Sequence, residues 1–226
     1  MFIQFERMAN LPSAPVSDTQ AAVSETDPAV DVPSDLHTKQ ERILTAALEL
    51  FARRGYQATA VPDIASAAGV ATGTIYRYFD TKDDLLNVLY QRWRGELNAH
   101  VFAPVPQGSS AREVFGELWR RLTGWLDEYP SQATFLEQHY HKPLLDRKSL
   151  EADRDFVQGL EHFILDAVAS GEIRNMPSAL AVGLIWGSAV GLLKMAGEGH
   201  LSIEPSAVAQ AEASLWDALR SQAQHS

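Results

Sequence analysis

The amino-acid sequence predicts an all-α protein of about nine helices. Three observations support this prediction. Apolar residues recur at helical spacing from His37 onward, no segment shows the alternation of a half-buried strand, and residues that start or stop helices recur at regular intervals. The 226 residues suffice for one large domain, or for a small domain followed by a medium one.

The first 36 residues differ from the rest in composition. They are rich in Pro, Ser, Ala and acidic residues and show no sustained hydrophobic period, so a disordered N-terminal extension is predicted over residues 1–36. Residues 1–10 alternate apolar and charged residues without a continuous apolar stretch. No secretory signal is therefore expected.

Three short helices are predicted between residue 37 and about residue 80. The apolar face of the first consists of Ile43, Leu44, Ala47, Leu50 and Phe51. Gly55 ends this helix, and Thr59 is a candidate N-cap for a second one that has Pro62 in its first turn. Gly69 interrupts the pattern, and a third helix is predicted to run to about Phe79.

The later helices are predicted from their start and stop residues. Asp80 or Thr81 caps a long fourth helix, and Ser110 with Glu113 forms a capping box that opens the fifth. The remaining helices are predicted from Ser131 to near Pro143, from Ser149 to Gly171, from Ser178 to about Gly197, and from Pro205 to about Gln222.

Charge and cysteine content limit the function classes. The formal net charge is -10, but residues 37–82 contain six Lys and Arg residues against four Asp and Glu residues, so this stretch is net positive. The chain has no cysteine, which excludes disulfides, thiol catalysis and cysteine-ligated zinc.

Residues 61–80 have the spacing of a helix-turn-helix. Ala65 is small enough for a close helix crossing, Gly69 tolerates the positive φ of a tight turn, and Ile75 returns an aliphatic side chain to the junction. An αα-corner without a DNA partner would have the same spacing. The exposed face of the third helix favours DNA, because its residues are small, hydroxylated or basic: Thr72, Gly73, Thr74, Tyr76, Arg77 and Tyr78.

The stretch from Arg42 to Leu85 resembles the headpiece of the tetracycline-repressor (TetR) family of bacterial regulators. The matching residues are Arg42-Ile43-Leu44, Ala46-Ala47, Leu50-Phe51, Gly55-Tyr56, Thr59, Asp63-Ile64-Ala65, Ala68-Gly69-Val70, Gly73-Thr74-Ile75-Tyr76, Tyr78-Phe79, Lys82 and Leu85. A shorter match covers residues 171–174. The resemblance implies a helix-turn-helix DNA-binding domain over residues 37–98 and an effector-binding and dimerisation domain over residues 99–226.

The resemblance also implies roles for individual residues. Thr72 and Gly73 would lie nearest the base edges, and Tyr76 would contact a base methyl or a phosphate. Tyr78 would bond to the DNA backbone, and Lys82 would neutralise a phosphate.

Four further positions qualify this picture. Thr59 would cap the second helix and present the N-terminal dipole of that helix to a phosphate. Ala71 stands where family members often carry a capping serine, and Pro62 stands where some use a polar side chain on DNA. Arg77 has three open roles, namely reading a guanine, holding a phosphate, or lying on the surface.

A homodimer is expected, because two headpieces related by a two-fold axis read a pseudo-palindrome on double-stranded DNA. Gly183, Gly187 and Gly191, at steps of four, are the candidate dimer interface, although packing within the chain would explain them equally. The apolar run from Ala179 to Leu193 is interrupted by glycines and is shorter than a bilayer requires. We therefore predict a buried helix here and no membrane partner.

The body is rich in aromatic residues, as a pocket for a small-molecule effector would require. The candidate wall residues are Trp93, Trp119, Trp125, His139 and Trp186. His139 and His141 lie two residues apart, and such residues point to different faces of a helix, so no metal site is predicted. No cofactor is expected, and no catalytic motif is present.

These observations predict a cytoplasmic, DNA-binding transcriptional regulator without enzymatic activity. A repressor released from its operator by an effector fits best. Two alternatives stay open. One is an activator or global regulator with the same headpiece. The other is a helical small-molecule-binding protein or enzyme whose headpiece is vestigial.

Overall fold

The computed structural model describes residues 34–138, 142–202 and 204–221. Within these ranges the chain forms nine α-helices and one short 3-10 helix (residues 142–144), and it contains no strand beyond one bridging pair between Ile173 and Arg220. The predicted all-α fold is confirmed. The helices are α1 (Ser34–Arg54), α2 (Val61–Ala68), α3 (Thr72–Ile75), α4 (Lys82–Val101), α5 (Ala111–Glu128), α6 (Pro130–Gln138), α7 (Arg147–Ala169), α8 (Ser178–Gly197) and α9 (Pro205–Leu219).

Several predicted helix ends are confirmed. Thr81 is the N-cap of α4 and Ser110 is the N-cap of α5, each in a complete capping box in which the side chain of the third helical residue bonds back to the cap. Gly69 ends α2 in the left-handed region, with φ +64°. Helix α8 has the predicted bounds.

Other predicted ends are wrong. The N-cap of α2 is Ala60, without a side-chain hydrogen bond, and not Thr59. Helix α3 ends at Ile75, because the next residues form a tighter turn in which the Tyr78 amide donates to the Ile75 carbonyl over 3.0 Å. Helix α7 begins two residues before Ser149, since Asp146 accepts the capping hydrogen bond from the Ser149 amide.

Helix α4 connects the headpiece to the body. Helix α1 packs against α2 and α6, while α4 packs against α5 and α7, and the remaining helices close the body through α7–α8 and α5–α9 contacts. The predicted domain boundary after residue 98 falls inside α4. The headpiece and the body therefore share one continuous helix.

Helix α8 contradicts the prediction of a buried helix. Leu180, Leu184 and Met195 are exposed, and only 22% of the most apolar 18-residue window of this helix is buried within the chain. By length and composition it is the one helix among the described residues that is able to cross a membrane. The prediction failed because an apolar pattern indicates that a helix needs cover without indicating what covers it.

Two sequence predictions fall on residues outside the described ranges. The N-terminal extension is one of these, except that Ser34–Leu36 form the first turn of α1 and not a disordered segment. His139, named as a pocket residue, and His141 are the other.

Candidate nucleic-acid interface and its connection to the body

The turn between α2 and α3 has the predicted geometry. Ala65 and Ile75 are both buried at the helix junction. Gly69 has φ +64°, a conformation that glycine adopts without strain. The Arg42 guanidinium on α1 donates to the carbonyl oxygens of Ala68 and Gly69, and so satisfies acceptors that the end of α2 leaves open.

Five of the six residues predicted on the outward face of the α3 region are exposed or half-buried there, and the sixth, Tyr78, has an enclosed hydroxyl. Gly73 is exposed, and a Cβ atom at this position would have no neighbour within 4 Å. Thr72 and Thr74 are half-buried, while Tyr76 is 53% exposed. Arg77 is exposed and makes no ion pair with any residue in the described ranges. These side chains form a polar surface without an acidic group.

Two predicted contact residues point inward. The Thr59 side chain is 1% exposed, and its hydroxyl donates to the Gly55 carbonyl over 2.9 Å. The Tyr78 hydroxyl is enclosed and has no hydrogen-bond partner among the described residues. A Tyr78 contact with the DNA backbone therefore requires this side chain to turn outward.

Lys82, at the start of α4, bonds to the headpiece itself. Its Nζ donates to the carbonyl oxygens of Tyr56 and Thr59, each over 3.0 Å, and lies 3.9 Å from the centre of the Tyr56 ring. An ammonium group has three donors, so one stays available for a phosphate. The side chain thus joins α4 to the loop before α2, a role that the sequence analysis missed.

Tyr56 makes a second connection at the same place. Its hydroxyl donates to the Asp83 carboxylate, and burial together with this carboxylate raises the pKa of Tyr56 above its ordinary value of 10.0. The phenol therefore stays protonated near neutral pH and keeps donating. In the sequence, Tyr56 is recognisable only as a family match, because a pair 27 positions apart leaves no periodic signal.

Further along α4, polar side chains bond to the body. Asn87 is buried, and its amide donates to the Leu144 carbonyl over 2.9 Å while its oxygen accepts from the Asp146 amide over 2.8 Å. One turn later, the Tyr90 hydroxyl donates to Asp153 on α7 over 2.8 Å. Burial raises the pKa of Tyr90 to about 12. A movement of α7 is thus coupled to α4 by direct hydrogen bonds.

The predicted pocket residues do not lie around one space. Trp93 and Trp125 both pack on Tyr129, with ring centres 6.3 and 5.3 Å from it. Trp119 is 1% exposed, and its indole nitrogen donates to the Val208 carbonyl on α9, as expected of a core residue.

Trp186, the fourth described member of the predicted wall, belongs to another cluster. It packs edge-on against Phe156 with 5.4 Å between the ring centres. The Arg94 guanidinium lies 5.6 Å from the Trp186 ring. The sequence analysis did not single out Arg94, because a lone basic residue on a helix is usually at the surface.

A helix-turn-helix with a polar outer face, linked by a shared helix to a helical body, defines a DNA-binding transcriptional regulator. The sequence model described as "Bacterial regulatory proteins, tetR family" matches residues 43–89. The model described as "Tetracyclin repressor-like, C-terminal domain" matches residues 90–221, which is more than half of the chain. The chain belongs to the TetR family of DNA-binding regulators.

Individual relatives agree with this assignment. The chain is 30% identical over 155 residues to the fatty acid metabolism regulator protein of Bacillus subtilis, covering 66% of this chain and 79% of that protein. It is 33% identical over 93 residues to the transcriptional repressor KstR2 of Rhodococcus jostii, covering 41% and 46% of the two chains.

Solved structures share the fold. A TetR family regulator from Marinobacter aquaeolei has a TM-score of 0.73 at 22% identity, covering 82% of this chain and 97% of the other. The fatty acid degradation regulator FadR from Bacillus halodurans has a TM-score of 0.65 at 24% identity, covering 79% and 94%.

Proposed function

We propose that this regulator is a cytoplasmic, dimeric repressor that a small-molecule effector releases from its operator. The observation that carries the proposal is the single helix α4. Its first turn holds the headpiece through Lys82 and Asp83, and its middle binds the body through Asn87 and Tyr90. A ligand that binds one arrangement of the body better than another would therefore shift the headpieces as well.

Helix α8 is the proposed dimer interface. Its exposed leucines and methionine form an apolar surface that water solvates poorly. A Cβ atom at Gly183, Gly187 or Gly191 would meet nothing within 4 Å, so packing against the described residues does not account for the three glycines. A second copy related by a two-fold axis would cover this face, and we assign the apolar character of α8 to dimerisation and not to a membrane.

The proposed DNA contacts follow the exposed face. Thr72, Gly73 and Thr74 approach the base edges, since their short side chains permit a close approach. Tyr76 lies on a base methyl or a phosphate, and Arg77 holds a phosphate or reads a guanine. A second set of groups contacts the backbone: Tyr78 after turning outward, Lys82 through its remaining donor, and the start of α2 next to Thr59.

The effector is proposed to be largely apolar. One relative is named for fatty acid metabolism, and two solved structures of the same fold are named for fatty acid degradation and for ketosteroid transcriptional regulation. The aromatic side chains of the body suit such a molecule. The Trp93–Trp125 cluster and the Trp186 cluster are the two candidate places, and Trp119 serves the core.

The test is a fluorescence-anisotropy titration on labelled DNA from upstream of the protein's own gene, at several salt concentrations and against a scrambled duplex. We expect two chains per site, preference for the native duplex, and a steep loss of affinity with salt, because phosphate contacts release counterions. The proposal that this protein regulates transcription by binding DNA would be excluded by two results together. Binding to the native duplex would be insensitive to salt and no tighter than to the scrambled duplex, and fragments selected from the whole genome would behave in the same way.

Two variants separate the contact types. Thr72→Ala should change the sequence preference, whereas Lys82→Ala should weaken binding to every duplex. Identical behaviour of the two variants would contradict this division of roles. Transcription from a reporter should fall when the protein is present, and a rise would indicate an activator.

A further inference from the structure

Arg94 is a buried cation in the middle of α4. Its side chain is 7% exposed, and its Nη2 lies 2.9 Å from the Asp153 carboxylate and 3.1 Å from the Tyr90 hydroxyl. Asp153 balances the positive charge, as a buried ion requires. The local net charge of this cluster is therefore zero.

Two polar atoms beside this ion pair have no partner. The Arg94 Nε, a donor, and the Asn98 Oδ1, an acceptor, are both enclosed and form no hydrogen bond within the described ranges. The two residues are one helical turn apart, on the same side of α4, so their side chains are neighbours. Buried polar atoms without partners are rare because each costs free energy, so this pair is expected to have a partner that is not among the described residues.

The surroundings of the two atoms are aromatic. The Arg94 guanidinium lies 5.2 Å from the centre of the Phe156 ring, and Phe156 packs against both Trp186 and Phe102. Phe102 is half-buried at the end of α4, where its ring occupies the space that a side chain at position 159 would fill. Phe102 lies one helical turn after Asn98, so an outward turn of its ring would free the space above Gly159 on the side of α4 that carries Asn98.

We propose that Arg94 and Asn98 bind the hydroxyl group of a neutral, largely apolar effector, a proposal that rests on the proposed function and specifies its ligand class. A hydroxyl oxygen accepts from the Arg94 Nε while its hydrogen is donated to the Asn98 Oδ1. With the Asn98 Oδ1 buried, as it is here, a carboxylate has no proton to donate to it, and the charge of the carboxylate would lie close to that of Asp153. The cluster therefore selects an alcohol over an acid of the same chain length.

The experiment compares two matched probes on the full-length protein. 1-Decanol and decanoate share a flexible chain and differ in the head group, and binding is followed by tryptophan fluorescence and calorimetry at pH 7. We expect decanol to bind about tenfold more tightly, the effect of roughly one well-placed buried hydrogen bond. Equal affinities of the two probes, or tighter binding of decanoate, would overturn the proposal. Binding of neither probe would also overturn it and would mean that the site holds water alone.

Variants locate the effect. Asn98→Leu removes the acceptor at similar size, so decanol affinity should fall about tenfold while the melting temperature stays or rises, because an unsatisfied buried atom is lost. Asn175→Leu, at an exposed loop asparagine, should change neither the decanol affinity nor the melting temperature. Unchanged decanol binding in Asn98→Leu would contradict the assignment.

Operator binding of the same preparation is measured in parallel. Retained DNA binding without preference for the alcohol would reject this site alone, whereas loss of sequence-preferring DNA binding would reject the proposed function.

Discussion

The headpiece and helix α8 each carry an apolar face, yet the described residues cover that face in the headpiece and leave much of it exposed in α8. In the headpiece, Phe51, Ile64 and Ile75 are at most 2% exposed. The side chains of Arg42 and Lys82 donate hydrogen bonds to backbone carbonyl groups of the loops that surround this core. In α8, Leu180 is 53% exposed, and a Cβ atom added at Gly183, Gly187 or Gly191 would meet nothing within 4 Å among the described residues. Hydrophobic content alone does not say whether a helix is covered from within the chain or by a partner.

The largest expected effect tests helix α8, whose apolar face is exposed. Gly187→Arg should give a folded monomer, since the position is unobstructed within the chain but would face a second copy across the dimer axis. Operator affinity should fall about a hundredfold or more because the two half-sites are no longer bound together. Analytical ultracentrifugation, circular dichroism and DNA titration measure the three properties.

The matched control is Gly95→Arg. It adds the same charge at an exposed, unobstructed position on α4, so the protein should stay dimeric. If Gly187→Arg also stayed dimeric, α8 would not be the interface.

The next largest effect tests the headpiece, whose apolar face is covered by the described residues. Gly69→Val forces a β-branched residue to φ +64° and places a Cβ atom 2.6 Å from the Arg42 Nη2. The free energy of unfolding should fall by about 2–3 kcal/mol, from backbone strain and the displaced cap. Urea unfolding at fixed protein concentration measures it. Gly95→Ala, a helical position without strain, should instead gain about 0.5–1 kcal/mol, and similar values for both variants would mean that the turn is not constrained.

A smaller effect separates two roles of Lys82, namely stabilising the headpiece and binding DNA. Lys82→Met loses the bonds to the Tyr56 and Thr59 carbonyls, so stability should fall by about 1–2 kcal/mol. Arg77→Met removes the same charge from an exposed side chain and should change stability by less than about 0.5 kcal/mol. Thermal unfolding distinguishes them, and equal stabilities would show that Lys82 serves DNA alone.

The smallest effect concerns the surface of the body and depends on pH. Hydrogen bonds from Arg120 and Arg121 hold the pKa of Glu117 below its ordinary value of 4.5. A lowered folded pKa means that the carboxylate contributes stability above the unfolded pKa and loses it as the pH falls through the folded pKa. Glu117→Gln should therefore cost at most about 1 kcal/mol at pH 7 and nothing in strong acid.

Denaturant titrations at several pH values check this prediction. Asp127→Asn, at an exposed carboxylate without an ion pair in the described ranges, is the control and should change the free energy of unfolding at pH 7 by less than about 0.5 kcal/mol. A cost for Glu117→Gln that persists in acid would indicate lost packing and not lost charge.

Much of the fold was predictable because its signals are local. The capping boxes at Thr81 and Ser110, the glycine at 69 and the helical spacing of apolar residues each act within a few positions. Thr59 shows the limit of this approach. A threonine before a helix is a good cap by local rules, but here its hydroxyl donates to the preceding turn and the side chain is buried.

The candidate DNA surface was predictable for the same reason, since it occupies one short stretch of sequence. The long-range contacts that connect this surface to the rest of the protein were not predictable. The contacts of Tyr56 with Asp83 and of Arg94 with Asp153 join residues far apart in the sequence, and nothing in either local pattern identifies the partner. The aromatic residues of the body likewise divided into separate clusters that composition does not distinguish.

The sequence by itself determined the helices, the helix-turn-helix and the polar face that it presents, because hydrogen bonds within a helix and the shape of a tight turn depend on adjacent residues. Only the tertiary structure decided that α8 is uncovered, that Lys82 holds the headpiece, and that Arg94 is buried beside unpaired polar atoms. Burial and long-range pairing depend on which surfaces meet in space, and helical periodicity specifies a face without specifying what covers it.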